Sequence, residues 1–205
     1  GNVTIQAGAM QWMLGNVNAT TGIKGAGDLI SKAFRGKVSG ESIVKPEYTG
    51  DGLLMLEPTY KHLILIDLKD WNQSIVLDDG LFLACSSELK QKTVARSNLS
   101  SAVAGGEGLF NLGLEGDGIV CLEADCPKEE LVEINLENDV LKVDGNFAIT
   151  WSGSLSFTVE RSGKTLIGSA ASGEGLVNVY RGTGKVLLAP VGNGNIMKNG
   201  FPAMQ

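Results

Sequence analysis

Ser39-Gly40-Glu41-Ser42-Ile43-Val44, Gly105-Gly106-Glu107-Gly108-Leu109-Phe110 and Ser172-Gly173-Glu174-Gly175-Leu176-Val177 are three statements of one phrase. Their glutamates, Glu41, Glu107 and Glu174, stand 66 and then 67 residues apart. Solenoid units usually run about 20 to 50 residues, so a repeat of this length fits small modules packed as one body better than a stacked array. After each phrase comes a second glycine pair: Gly50-Asp51-Gly52, Gly116-Asp117-Gly118 and Gly182-Thr183-Gly184. Apolar runs follow them: Leu53-Leu54-Met55-Leu56, Ile119-Val120-Cys121-Leu122 and Val186-Leu187-Leu188-Ala189. Glycines can take backbone angles closed to other residues, and the unit is expected to read strand, tight turn, strand.

A second element recurs ahead of the first, as Ala7-Gly8-Ala9-Met10, Asp79-Gly80-Leu81-Phe82 and Asp144-Gly145-Asn146-Phe147. The runs Ile75-Val76-Leu77 and Val140-Leu141-Lys142-Val143 precede its second and third copies as strands, whereas only seven residues stand before Gly8. The first module is therefore expected to lack a strand at its start, as in a trimmed chain. His62-Leu63-Ile64-Leu65-Ile66-Asp67-Leu68 reads as a strand, and in 131–137 the alternation of Ile134 and Leu136 with Glu133, Asn135 and Glu137 predicts a strand with one wet face. Helix is a minor component, with one short amphipathic stretch, Asp28-Leu29-Ile30-Ser31-Lys32-Ala33-Phe34. The class is all-β, with modules expected at 1–59, 60–126 and 127–190. The segment 191–205, rich in Gly and Asn, lies outside the repeats as a tail.

Composition narrows the function. A formal net charge of −6 with scattered Lys and Arg disfavours nucleic acid, whose phosphates are bound by clustered cations. No apolar stretch approaches the roughly 20 residues that span a bilayer as helix. Cys85, Cys121 and Cys126 lack CxxC spacing, and the single His62 cannot complete a Cys/His zinc set. They read as reduced thiols of a cytoplasmic protein, with no cofactor expected.

Few residues invite a chemical role. Three carboxylates related by a repeat could meet on an axis as an acidic ring or ligand site, but Glu41, Glu107 and Glu174 equally fit glycine-rich turns, each accepting backbone N–H bonds. Ser162-Gly163-Lys164-Thr165 ends like a phosphate-binding loop, yet Thr158 stands where the loop's first glycine belongs. Gly25-Ala26-Gly27 begins a dinucleotide fingerprint that Ile30 breaks. His62 reads as a surface or strand-edge histidine. Trp12 and Trp151 follow the recurring Gly8 and Gly145 at similar distances and are expected to pack between modules, whereas Trp71, among Asp70, Asn72 and Gln73, is expected to be exposed. No acid, base and nucleophile set emerges, and a non-enzymatic protein is expected.

Gly8-Ala9-Met10-Gln11-Trp12-Met13, the Ser-Gly-Glu phrase and Asp79-Gly80-Leu81-Phe82-Leu83-Ala84 followed by Gly106-Glu107-Gly108-Leu109-Phe110 together resemble the altered-inheritance-of-mitochondria 24 family. The resemblance spans roughly residues 7 to 190. It implies three fused modules of a shortened double-stranded β-helix, similar to the subunit of the tryptophan-responsive RNA-binding attenuation protein and arranged as a pseudo-trimer. Ser42 departs from the usual glycine, and Thr183 stands where the other turns have Asp. The family brings no catalytic residue and no agreed ligand, and RNA or tryptophan binding does not carry over from module similarity. The expected role is a structural or scaffold protein acting through protein contacts at a membrane-associated assembly, as its fungal relatives suggest. The alternative is a small-ligand or metal-binding module that uses the cavity or axis among the modules. Homo-oligomerisation and partner identity stay open.

Overall fold

The computed structural model of the chain describes residues 1–21, 45–95, 110–161 and 176–190. Their strands are β1 (Asn2–Ile5), β2 (Met10–Thr20), β3 (Glu47–Leu56), β4 (His62–Asp67), β5 (Ser74–Leu77), β6 (Phe82–Ser86) and β7 (Lys90–Ala95). The rest are β8 (Phe110–Glu115), β9 (Ile119–Ala124), β10 (Val132–Asp144), β11 (Ala148–Ser152), β12 (Ser156–Arg161) and β13 (Leu176–Leu188). Helix among the described residues is limited to two 3-10 turns, Leu68–Trp71 and Lys128–Glu130. The chain is all-β, as the alternating apolar runs predict. The short helix expected at 28–34 lies outside the described residues.

The strands form two antiparallel sheets. One runs β2-β3-β1-β6-β9-β4; the other runs β10-β13-β11-β5-β8-β7, with β12 also on β13. Residues 60–126 feed both sheets, because β8 lies in the second and β9, just after it, in the first. Gly116, at φ 124°, and Gly118 stand at that crossing. At Gly50 (φ 139°) and Gly182 (φ 121°) the expected tight turn does not occur. There β3 and β13 run on unbroken, bent but still paired. The glycine is nonetheless required at Gly50: a Cβ there would strike the Asn16 carbonyl on the neighbouring strand. Three pairings shift register just past the recurring glycine turns, between Met10 and Trp12, Phe82 and Ala84, and Ala148 and Thr150. A register shift of this kind is what a β-bulge makes, and it bends the strand and raises its local twist.

The main core packs Ile64, Leu68, Ile75, Leu77, Leu114 and Leu122 with Ile149 and Leu187, so residues from 60–126 and from 127–190 share one interior. A second cluster centres on Trp151, Phe157 and Tyr180, whose ring centroids lie 5.2 Å from one another. Trp151 is 2% exposed. Buried polar side chains are satisfied: Thr150 Oγ1 donates to the Val76 carbonyl (2.9 Å) and Asn111 Nδ2 to that of Leu77 (3.1 Å). Trp12, in contrast, is 43% exposed and does not pack as its repeat position suggested. Its strand β2 ends a sheet, and no second neighbour covers it among the described residues.

On β12 and β13 the Arg181 guanidinium donates to both oxygens of Glu160, at 2.6 and 2.9 Å, and the Thr158 hydroxyl donates at 2.8 Å. These bonds hold the Glu160 carboxyl down at about 2. A depressed carboxylate stabilises the fold fully above its unfolded value near 4.3, and that stabilisation is lost as pH falls toward 2.

Two outcomes follow from this packing. Trp151→Ala should cost about 3–5 kcal/mol in urea denaturation, against under about 1 kcal/mol for the exposed Trp12→Ala. Glu160→Gln should flatten the acid limb of stability between about pH 4 and pH 2 relative to the parent chain, read as the urea midpoint against pH.

Candidate functional site

Two surface features stand out among the described residues. The first is the ribbon formed by β2 and β3. These strands pair along their length, from Met10↔Leu56 to Thr20↔Glu47, and β1 covers β3 only beside Glu47, Tyr48 and Thr49. Beyond Gly52 the outer flank of β3 carries no strand among the described residues, whereas β9 is flanked by β4 and β6, and the end of β13 by β10 and β11. Leu54 and Leu56 are accordingly half-buried, while Val120 and Leu122, at the same places on β9, are fully buried. Trp12, Met13, Leu14, Leu53 and Met55 stand exposed on the ribbon, with Leu14 at 63%. Five large apolar side chains on one two-stranded element are more than the scattered surface apolars normal in a soluble protein.

The second feature is a cleft of about 560 Å³ between residues 60–126 and 127–190. Its apolar wall is Ile64, Ile66 and Trp71 on one side and Leu131 and Leu187 on the other, and Asp67, Asp70, Glu133 and Lys128 bring charge to the rim. Lys185 holds both sides together: its Nζ lies 3.3 Å from the Glu133 carboxylate and 5.7 Å from the centre of the Trp71 ring, within cation–π reach. Trp71 is 5% exposed, opposite to the expectation from its polar neighbours. The 3-10 turn Leu68–Trp71, begun by Asp67 accepting from the Lys69 amide and closed by Asn72 at φ 51°, rotates the indole inward. Asp70 and Asn72 are left outside by the same turn.

The residues singled out in the sequence fare unequally. Glu41, Glu107 and Glu174 lie outside the described residues, as do Ser162-Gly163-Lys164-Thr165, Gly25-Ala26-Gly27 and the tail 191–205. His62 is exposed at the start of β4, a sheet-edge strand. Among the described residues no three His, Cys, Asp or Glu side chains gather as a metal cluster. Cys85 and Cys126 are buried and Cys121 is half-buried, all as free thiols. Burial pushes the Cys85 thiol up to about 12, opposed in part by nearby Lys45, and burial with Glu123 raises that of Cys121. A thiol so raised is protonated at neutral pH and is a poor nucleophile.

Sequence reasoning misses both the cleft and the ribbon. Alternation locates strands but leaves unsaid which end a sheet, and no pattern marks a turn that tips Trp71 inward.

Two packed antiparallel sheets, an apolar ribbon at one end and a mixed cleft between two sequence segments describe an all-β protein. The chain belongs to the family described as Mitochondrial biogenesis AIM24, which it matches over residues 1–191. It is also similar to a Streptococcus pyogenes protein of known crystal structure, with 27% identity and a TM-score of 0.68 over 94% of this chain and 84% of that one. No protein of curated function matches. No helix among the described residues is long and apolar enough to cross a membrane.

The thiols offer a direct check. At pH 7.5 Cys85 should react with iodoacetamide far more slowly than a free thiol in solution, and at the free-thiol rate in 6 M guanidinium, as followed by mass spectrometry.

Proposed function

We propose that this protein is a non-enzymatic structural or scaffold protein that works through protein–protein contacts, made by the β2–β3 ribbon. The observation that carries the reading is the exposure of Trp12, Met13, Leu14, Leu53 and Met55 on a ribbon that no described strand covers along β2 or, on β3, beyond Gly52. Exposed apolar surface is costly to keep in water, and an edge strand that shows it is a template for another chain. The family's description, mitochondrial biogenesis, fits a role in assembly, and a membrane-associated assembly is the setting that we propose. The same proposal takes the chain as three modules, 1–59, 60–126 and 127–190, in a pseudo-threefold arrangement like that of the attenuation protein. The three bulges and the three bent glycines support it. The reduced thiols support a reducing compartment, with the cytoplasm as its location.

A second reading rests on the cleft: a module that holds a small amphipathic ligand against the wall where Trp71 and Lys185 meet. The glutamates Glu41, Glu107 and Glu174 belong to the metal-binding form of that reading.

Native mass spectrometry of gently purified protein separates the two. Contact function predicts a chain that carries partner protein and loses it on Met13→Lys or Leu53→Lys, with circular dichroism unchanged. A stoichiometric small mass, lost instead on Trp71→Ala, would sink the contact reading in favour of the ligand one.

A further inference from the structure

One strand pairing joins distant parts of the chain twice, in one register. Val3, Thr4 and Ile5 of β1 face Ser86, Cys85 and Ala84 of β6. Ile75, Val76 and Leu77 of β5 face Ser152, Trp151 and Thr150 of β11. The strands correspond by position. β1 and β5 each lead into a recurring glycine turn and pair on their other side just beside Gly50 or Gly116, through Asn2↔Thr49 and Ser74↔Glu115. β6 and β11 each follow that turn and carry the bulge.

Each set has a third member. The second half of β10 leads into the turn at Gly145 and pairs beside Gly182 through Val140↔Arg181. The first half of β2 follows the turn at Gly8 and carries the bulge between Met10 and Trp12. Counted from the bulges and from the bent glycines, the register used twice would set Leu141 against Leu14, Lys142 against Met13 and Val143 against Trp12. The chain does not make this pairing: β2 ends one sheet and β10 ends the other. Burial records the difference. Thr150, Trp151 and Ser152 are 0%, 2% and 2% exposed, while Trp12, Met13 and Leu14 are 43%, 46% and 63% exposed. Edge strands are usually blunted by Lys, Pro, a bulge or a very short run; β2 has neither Lys nor Pro along its 11 positions, and its bulge lies at one end, between Met10 and Trp12.

We propose that a second copy of this chain fills the edge, with the β10 strand of one copy added antiparallel to β2 of the next in the register Leu141↔Leu14, Lys142↔Met13 and Val143↔Trp12. The proposal rests on the contact reading above and names the partner. Each copy carries one edge of each kind, so the contact is head-to-tail and yields a ring if its rotation closes and an open chain if it does not. No described strand lies on the outer side of β2 or of β10, the side from which strand addition draws main-chain hydrogen bonds.

The register makes a charge test possible, because the residue at 13 would lie opposite Lys142. Sedimentation velocity across the micromolar range should show mass rising with concentration. Met13→Lys should weaken the association and Met13→Glu preserve it, the two differing by about tenfold, since like charges directly opposite repel and opposite charges attract. Mixing Leu14→Cys chains with Leu141→Cys chains under mild oxidation should give a covalent dimer that neither gives alone, as opposed residues lie within disulfide reach. A chain that stays monomeric throughout, with Trp12 quenched by acrylamide, would overturn the proposal. So would a double Leu14→Cys, Leu141→Cys chain that cross-links within itself at high dilution, or equal weakening by both substitutions at Met13. Should the monomer still hold another protein that Met13→Lys releases, the second copy falls and the contact reading stands.

Discussion

Antiparallel pairing between strands that lie far apart in the sequence is the interaction on which everything else here depends. Thr4 and Ser87, 83 residues apart, and Thr150 and Val76, 74 apart, meet across it. Without the β1–β6 contact the first sheet would part into β2-β3-β1 and β6-β9-β4. Without β5–β11 the second would part into β10-β13-β11 and β5-β8-β7. A three-stranded piece of that size buries little apolar area and is at the margin of independent stability. The core clusters reflect this, since Ile149, Leu187 and Ala189 complete an interior built mostly from residues of 60–126.

The same pairing sets the contrast between the two ends of the molecule. On β9, flanked on both sides, Val120 and Leu122 are fully buried while Ile119, on the other face, is 47% exposed. On β3 beyond Gly52, flanked by β2 alone among the described strands, Leu54 and Leu56 at the places of Val120 and Leu122 are only half-buried. The ribbon is thus surface by position and core by composition. Its chemistry is that of strands fit to be covered, and the proposed contact role rests on this.

Much of the strand pattern is legible in the amino-acid sequence. Period-2 alternation places β4 and the first half of β10, and short apolar runs ahead of the recurring glycines place β5 and the second half of β10. Glycine spacing finds the bends, though not their form: a positive φ at Gly50 and Gly182 allows a hairpin and a bent strand alike, and neighbouring strands decide for the bent strand. Trp71 and Trp12 escape local reading for a shared reason. Burial is set by what packs on a residue from afar, so polar neighbours do not expose Trp71, and repeat position does not bury Trp12. The cleft is illegible in sequence because its walls, Trp71 and Leu187, come from segments more than a hundred residues apart.

The long reach of these pairings also bears on how the chain becomes a folded object during synthesis. A ribosome delivers β1 well before β6, and β5 well before β11, so neither strand can complete its hydrogen bonding when it emerges. Each segment must wait, partly unpaired, for the one that follows. Loop closure over such separations is slow compared with local contacts, and exposed strand edges are the usual point of entry for misassembly. This architecture therefore asks much of the nascent chain, and it makes β13, the last of the described strands, the one whose three neighbours β10, β11 and β12 let the second sheet close.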